Sequence, residues 1–217
     1  MKQYQHILFD LDGTLSDPKI GITKSVQYAL KQFNINEENL DNLECFIGPP
    51  LQVSFKEYYG MNDKDISLAI EYYRERFKDK GTYENVLYPE IPGLLESLKE
   101  KGCILDVATT KPTVFAEEIV QYFEIDHFFN HIVGSHLDGT RSIKGEVIEH
   151  ALNMYNQDLD EFIMIGDRKH DLIGANSMQI DSIGVTYGYG SYDELYNEKP
   201  THIVNNIKQL RDILISG

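Results

Sequence analysis

The chain has 217 residues and a formal net charge of −15 at pH 7, so it lacks the basic surface that general binding to nucleic acid or anionic membranes requires. Hydrophobic residues make up 41% and charged residues 25% of the sequence, which is typical of a globular protein with a buried core. We find no apolar run of signal-peptide or membrane-spanning character, and the two cysteines are widely separated. We therefore expect a cytoplasmic protein with no membrane segment. The oligomeric state cannot be read from the sequence.

The first apolar run of the chain ends in two alternating carboxylates. Residues 7–9 (Ile-Leu-Phe) are followed by Asp10 and Asp12, and then by Gly13 and Thr14. The run predicts a buried strand, and the Gly-Thr pair predicts a turn directly after it. Open α/β sheets bind ligands beyond the carboxyl ends of their strands, where both acids would lie. Two carboxylates this close need a divalent cation or a shared proton, so the segment indicates an active site.

The next part of the chain is expected to be helical throughout. Apolar residues recur at helical spacing from Ile22 to Phe33, and further helices are predicted over about residues 54–59 and 63–77. Strand-like alternation does not interrupt this part of the sequence. We interpret residues 17–82 as an inserted α-helical cap.

From residue 83 onward the pattern alternates between helix and strand. Apolar strands are predicted at residues 103–108, 131–133, 162–165, 182–185 and 203–204, with helical segments between them. This alternation is typical of a mostly parallel sheet with helices on both faces. The predicted fold class is therefore α/β, a doubly wound parallel sheet formed by residues 1–16 and 83–217.

Three further polar segments follow predicted core strands. Thr109, Thr110 and Lys111 come directly after the strand that ends at residue 108. Lys144 begins a helix after the next strand, and residues 166–171 (Gly-Asp-Arg-Lys-His-Asp) follow the strand that ends at residue 165. A hydroxyl, an ammonium and a carboxylate pair at one edge of a sheet indicate a site for an anion beside a magnesium ion.

These residue types suit phosphoryl transfer, which needs an in-line nucleophile, neutralised phosphate oxygens and a protonated leaving group. Asp10 is the predicted nucleophile, and Asp12 is the predicted general acid and base. Asp10 and Asp167 are predicted Mg²⁺ ligands because they supply hard oxygen atoms.

The other polar side chains are predicted to contact the phosphate or to orient the groups that do. The hydroxyl of Thr109 and the ammonium of Lys144 are predicted to hold phosphate oxygens. Arg141 is a competing candidate for the cation, because it lies close to the same helix start. Asp171 is predicted to orient Lys144 or a metal-bound water.

The order of these motifs and the insert between the first two resemble the haloacid dehalogenase superfamily of phosphatases. Residues 10–14 match its first motif and residues 166–171 its fourth. Residues 109–112 are similar to its second motif, in which many relatives have Asn where this chain has Thr110. The helical insert is similar to that of the phosphoglycolate phosphatase-like branch, which includes 5′-nucleotidases. The resemblance implies a Rossmann-like core and Mg²⁺-dependent hydrolysis of a phosphate monoester through an aspartyl-phosphate.

The resemblance also implies site residues beyond those argued from chemistry. It suggests that the backbone carbonyl of Asp12 is a metal ligand. It also favours residues 46–51, in the cap, as a specificity loop over the active site. The full set of expected substrate contacts is Gly13, Thr110 and Lys111 in the core, with Gly48 and Pro49 in the cap.

The sequence leaves the substrate and two alternative functions open. Nucleoside monophosphates, phosphoglycolate and sugar phosphates all fit a small phosphate-binding site. The alternatives are a sugar phosphomutase of the same superfamily and a non-catalytic module that accepts a phosphoryl group on Asp10. A dinucleotide-binding domain is disfavoured, because no Gly-x-Gly-x-x-Gly follows the first strand.

Overall fold

The computed structural model describes residues 2–216, which fold into two compact units. One unit contains the described residues up to Asp17 and those from Leu87 onward, and the other is Pro18–Val86. Both boundaries fall slightly later in the chain than the 16/17 and 82/83 boundaries expected from the sequence. None of the helices within residues 2–216 has the length and apolar character needed to cross a membrane.

The elements alternate in the core unit and are helical in the insert. The strands found within residues 2–216 are β1 (His6–Phe9), β2 (Ser16–Asp17), β3 (Val86–Leu87), β4 (Ile104–Pro112), β5 (His131–Ser135), β6 (Phe162–Gly166), β7 (Asp181–Val185) and β8 (His202–Val204). The α-helices in the same range are α1 (Lys19–Gln32), α2 (Leu51–Tyr59), α3 (Asp63–Arg76), α4 (Ile91–Glu100), α5 (Thr113–Tyr122), α6 (Lys144–Leu152), α7 (Lys169–Ser177), α8 (Tyr192–Asn197) and α9 (Ile207–Ser216).

Six strands form one parallel sheet in the order β5-β4-β1-β6-β7-β8, and β2 and β3 form a separate two-stranded sheet. The first strand of the chain is central in the large sheet, because Phe9 pairs with Val107 of β4 on one side and with Ile165 of β6 on the other. This register brings the segments that follow Phe9, Val107 and Ile165 to one edge of the sheet. The predicted α/β fold class is confirmed.

Apolar side chains fill the layer between this sheet and two of its helices. Leu8, Ala108 and Met164 lie on the three central strands and are buried with Val147 and Ile148 of α6. Burying one Val, Leu, Ile or Met side chain stabilises a fold by about 1.5–3 kcal/mol. The strand ends that carry the polar segments are therefore fixed by a rigid core.

One core strand extends beyond its predicted end. The strand expected at residues 103–108 is β4, which continues to Pro112 and includes the Thr-Thr-Lys segment. Its pairing with β5 shifts register between Ala108 and Pro112. A register shift of this kind re-aims side chains, so the segment is an irregular strand end and not a separate loop.

The helical unit has two helices whose bounds differ from those expected. The helix predicted at residues 54–59 begins earlier, at Leu51, directly after Pro50. The helix predicted at residues 63–77 is α3, which ends at Arg76 and continues as a π-helical turn, Phe77–Gly81. The side chain of Asn62 caps α3 by accepting hydrogen bonds from the N–H groups of Lys64 and Asp65.

Two segments of the helical unit approach each other closely at a glycine. A Cβ atom on Gly21 would lie 2.1 Å from the carbonyl oxygen of Gly81. The Gly21 N–H donates a 2.9 Å hydrogen bond to the carbonyl oxygen of Glu84. Only glycine allows this contact, which joins the start of α1 to the end of the unit.

Candidate active site

Asp10 is the first residue after β1 and is joined to β6 by a backbone hydrogen bond. Its N–H donates a 2.9 Å hydrogen bond to the carbonyl oxygen of Ile165, and its carboxylate is buried. Burial raises the pKa of Asp10, and the nearby ammonium of Lys144 opposes that rise. A buried carboxylate in this position can act as a nucleophile only when its charge is compensated by its neighbours.

Lys144, the first residue of α6, supplies that compensation. Its Nζ lies 2.6 Å from Asp10 Oδ1 and 2.7 Å from Asp171 Oδ1, and donates a 2.9 Å hydrogen bond to the carbonyl oxygen of Ala108. These three acceptors match the three protons of an ammonium group. Burial alone would lower the pKa of Lys144, but the two carboxylates outweigh burial and raise it.

Arg141, the competing candidate for the cation, has a different partner. Its Nε donates a 2.7 Å hydrogen bond to the carbonyl oxygen of Gly134, at the end of β5. Its backbone is in the left-handed region, with φ of 53°. Of the two cations, Lys144 is the one that contacts Asp10.

Asp10, Asp167 and Asp171 form a compact group of buried carboxylates. One oxygen atom from each lies within 4.8 Å of one from each of the others. Burial raises the pKa of Asp167 well above its usual range, and the charges of Asp171 and Asp10 raise it further. Three acids this close are strongly unfavourable when all are ionised without a cation.

The oxygen atoms of these acids show where a divalent cation would fit. Asp167 Oδ2 accepts a 2.7 Å hydrogen bond from the Tyr189 N–H, whereas the buried Oδ1 has no hydrogen-bond partner among the described residues. Asp171 uses one oxygen for Lys144 and accepts the Arg168 N–H, at 3.0 Å, with the other. Asp10 and Asp167 thus offer the hard oxygen ligands that Mg²⁺ prefers. Asp171 contacts Lys144, and its role in orienting that side chain stays a prediction.

Gly13 allows the first motif to pack directly on this acid group. Its φ is 85°, a conformation that other residues rarely adopt, and a Cβ atom there would lie 2.2 Å from Asp167 Oδ2. The glycine is therefore needed both for the turn and for the approach of Asp167 to the end of β1.

Asp12 forms an ion pair with Lys111, which we predicted from the sequence to contact the substrate. Asp12 Oδ2 lies 2.8 Å from Lys111 Nζ, and both side chains are almost fully buried. Burial raises the pKa of Asp12, and the charge of Lys111 opposes the rise. The second oxygen, Oδ1, has no hydrogen-bond partner within the described chain. The role of Asp12 as general acid and base stays a prediction.

The two threonines at the end of β4 have different surroundings. The Thr109 hydroxyl is buried and accepts a 3.3 Å hydrogen bond from the N–H of Lys111. The carbonyl oxygen of Thr110 accepts a 2.8 Å hydrogen bond from the Ser135 hydroxyl. Thr109 and Thr110 therefore lie at the same sheet edge as Asp10, and their contacts with substrate stay predictions.

Gly48 and Pro49 lie in the helical unit, in the connection between a 3₁₀ helix, Leu40–Phe46, and α2. The φ of Gly48 is 102°, which explains a glycine at this turn. Their role in binding substrate stays a prediction.

Residues 187–190 (Tyr-Gly-Tyr-Gly) contact the acid group; from the sequence we expected a loop near the rim of the core at residues 188–190 and gave it no role in the site. The N–H of Tyr189 is the donor to Asp167, and the Tyr187 hydroxyl donates a 3.0 Å hydrogen bond to the carbonyl oxygen of Thr14. The alternating glycines directly after a strand were the available signal, because they permit close backbone approach.

The family model of the haloacid dehalogenase-like hydrolases matches residues 7–185. The chain belongs to this family. The match spans both units of the hydrolase and includes every candidate residue of its acid group.

Curated relatives of the hydrolase have phosphatase and kinase names. A 5′-nucleotidase of Pseudomonas aeruginosa is 49% identical over 214 residues, covering 99% of this chain and 97% of that protein. The tyrosine-protein kinase PtkA of Mycobacterium tuberculosis is 34% identical, covering 97% of this chain and 72% of that protein. A phosphoglycolate phosphatase of Pasteurella multocida is 27% identical, with coverage of 99% and 100%.

A solved structure agrees with this assignment. The crystal structure of a predicted phosphatase from Clostridium acetobutylicum has a TM-score of 0.96 and 49% identity to the hydrolase, covering 99% of this chain and 100% of that one. The predicted family and enzyme class are confirmed: the hydrolase is a phosphatase of the haloacid dehalogenase type.

Proposed function

We propose that this phosphatase hydrolyses a small phosphate monoester with Mg²⁺, through a phosphoryl group carried on Asp10. The observation that carries the proposal is the buried group of Asp10, Asp167 and Asp171, whose oxygens lie within 4.8 Å of one another beside the ammonium of Lys144. This combination can hold a divalent cation and an anion side by side.

In the first step an oxygen of Asp10 attacks phosphorus, and the bond between phosphorus and the ester oxygen breaks. Asp12 gives its proton to the departing alkoxide, which leaves as an alcohol. Mg²⁺ held by Asp10 and Asp167 would neutralise phosphate charge as the two anions approach. The Thr109 hydroxyl donates a hydrogen bond to a phosphate oxygen, and the positive charge of Lys144, beside Asp10, stabilises the negative charge of the phosphate.

In the second step water attacks the phosphorus of the aspartyl-phosphate. Asp12 accepts a proton from that water, and the bond between phosphorus and the Asp10 oxygen breaks. Free phosphate is released, and both carboxyl groups return to their starting protonation states.

We propose nucleoside 5′-monophosphates as the first substrates to test. A 5′-nucleotidase is 49% identical over nearly the whole chain, whereas the phosphoglycolate phosphatase is 27% identical. Phosphoglycolate and sugar phosphates follow as second choices. The cytoplasmic location expected from the sequence stays a prediction.

The test is a phosphate-release assay over these three substrate groups, with Mg²⁺ and with EDTA, comparing kcat/KM. We expect release that requires Mg²⁺ and is highest for a nucleoside 5′-monophosphate. A hydroxylamine-sensitive phosphoryl label on Asp10, absent in Asp10→Asn, would support the intermediate. Isomerised sugar phosphate without free phosphate would instead indicate a phosphomutase, and no turnover on any substrate would indicate a phosphoryl-accepting module.

A further inference from the structure

Residues 187–190, which we call the tyrosine loop, connect β7 to α8 and contact the active site through both backbone and side chains. The Tyr189 N–H donates to Asp167 Oδ2 at 2.7 Å. The hydroxyl of the same residue donates to Asp17 Oδ1. One residue therefore joins a candidate metal ligand to Asp17, the last residue of the core unit before the chain enters the helical unit.

The loop approaches the site too closely for ordinary side chains. A Cβ atom on Gly188 would lie 2.3 Å from the carbonyl oxygen of Gly13 and 2.5 Å from Asp167 Oδ2. A Cβ atom on Gly190 would lie 1.9 Å from the carbonyl oxygen of Asp167. The backbone on both sides of Tyr189 is thus packed directly against Asp167 and against the turn after β1.

A half-buried aromatic ring contacts the first motif at the start of the loop. The Tyr187 ring packs edge-on against Tyr88, with ring centroids 5.3 Å apart, and its hydroxyl donates to the carbonyl oxygen of Thr14. These contacts fix the start of the loop at the first motif, and the contacts of Tyr189 itself hold the loop at Asp167.

The two carboxylate oxygens of Asp167 have different surroundings, because only one of them contacts Tyr189. Oδ2 is occupied by the backbone N–H, and the buried Oδ1 has no hydrogen-bond partner among residues 2–216. A carboxylate fixed by one oxygen cannot rotate freely, so the other oxygen stays available to a cation. Groups that orient a metal ligand in this way commonly affect metal affinity strongly.

We propose that Tyr189 is a positioning residue for Mg²⁺ binding: its N–H fixes the orientation of Asp167, and its hydroxyl secures that N–H by bonding to Asp17. The inference rests on the proposed Mg²⁺-dependent function. It predicts that Mg²⁺ affinity depends on the hydrogen bond between Tyr189 and Asp17, although neither side chain is a predicted metal ligand.

The test is Mg²⁺ titration of the free protein by calorimetry, without substrate. We expect Tyr189→Phe, which keeps the N–H and removes the hydroxyl, to weaken Mg²⁺ binding by about tenfold, the low end for groups that support a ligand. Asp17→Ala removes the acceptor and one negative charge. In that background we expect Tyr189→Phe to have an effect of less than about twofold, because the contact is already absent.

Controls separate this inference from a structural role and from the proposed function. Tyr192→Phe, at an exposed tyrosine of α8, should bind Mg²⁺ as the wild type does. The free energy of unfolding in EDTA measures any general loss of stability in Tyr189→Phe. Such a loss by itself would leave the Mg²⁺ affinity of the folded protein unchanged. In activity assays Tyr189→Phe should raise the Mg²⁺ concentration for half-maximal rate, with the KM for p-nitrophenyl phosphate unchanged at saturating Mg²⁺.

The inference is overturned if Tyr189→Phe binds Mg²⁺ like the wild type, or weakens it equally with and without Asp17. The variant Asp167→Asn shows whether a negative result concerns only the role of Tyr189 or the whole metal site. If Asp167→Asn abolishes Mg²⁺ binding while Tyr189→Phe has no effect, only the role of Tyr189 is wrong. If Asp167→Asn binds Mg²⁺ normally, the metal site of the proposed function is wrong.

Discussion

The Nζ of Lys144 lies 2.6 Å from Asp10 Oδ1, although 134 positions separate the two residues in the sequence. The same ammonium lies 2.7 Å from Asp171 Oδ1, so one buried cation compensates two buried carboxylates. Removing this cation leaves two carboxylates charged in a poorly solvated place, which is far more costly than removing an exposed ion pair.

We therefore expect Lys144→Met to lower the free energy of unfolding by about 3–5 kcal/mol at pH 7. Urea unfolding in EDTA measures this loss. Arg141→Met is the matched comparison and should cost less, because the Nε of Arg141 donates to a backbone carbonyl and not to a carboxylate of the acid group. Equal losses in the two variants would contradict the assignment of Lys144 as the compensating cation.

The substitution Asp10→Asn should abolish catalysis and leave the fold intact. We expect kcat to fall by at least about 10³-fold, since an amide cannot form the phosphoryl intermediate. Lys144 keeps its contacts with Asp171 and the Ala108 carbonyl, so the thermal midpoint should change little. Hydrolysis of p-nitrophenyl phosphate at the wild-type rate would exclude Asp10 as the nucleophile.

The ion pair between Lys111 and Asp12 predicts a change in pH dependence. Burial raises the pKa of Asp12 and Lys111 lowers it, so Lys111→Met should raise that pKa further. The general acid then stays protonated to higher pH, so the alkaline limb of the kcat/KM profile should move to higher pH. Profiles at saturating Mg²⁺ measure the shift, and Lys111→Arg, which keeps the charge, should show a smaller one. A shift of that limb to lower pH in Lys111→Met would contradict the pairing.

His6 predicts a pH effect on stability that is separate from catalysis. Its ring is fully buried, stacks on Phe162 with centroids 4.4 Å apart, and has no hydrogen-bond partner within the described chain. Burial lowers the pKa of His6 below its usual 6.5. The unfolded chain therefore binds the proton more tightly, and stability is lost as pH falls through 6.5 towards the folded pKa.

The variant His6→Phe should remove this contribution while keeping a flat ring against Phe162. We expect the thermal midpoint of the wild type to fall more than that of the variant between about pH 7.5 and pH 5.5. The exposed His127→Gln serves as the control and should follow the wild type. Parallel curves for His6→Phe and the wild type would show that His6 does not contribute.

Much of the fold and part of the site could be predicted because they depend on local patterns. The short apolar run before Asp10 and the Gly-Thr pair after it are sufficient to predict β1 and its turn. The alternation of later strands and helices predicts a parallel sheet, and parallel strands bring their carboxyl ends to one edge.

The contacts that were missed depend on register or on backbone atoms. Lys111 reaches Asp12 because β4 is paired with β1 and is irregular near its end, which residue types alone do not reveal. Tyr189 holds Asp167 through its N–H, and every residue except proline has that group. The short helix α8 was also missed, although the Ser191 hydroxyl caps it by accepting the Glu194 N–H at 3.1 Å.

The central place of β1 also determines when the core can assemble during synthesis. β1 leaves the ribosome before both of its neighbours, which begin at Ile104 and Phe162. Until Phe162 has been translated, one side of an apolar strand lacks its native partner and could pair with other chains. Prematurely terminated products that end before β6 would therefore be inactive and prone to aggregate, and quality control would have to remove them.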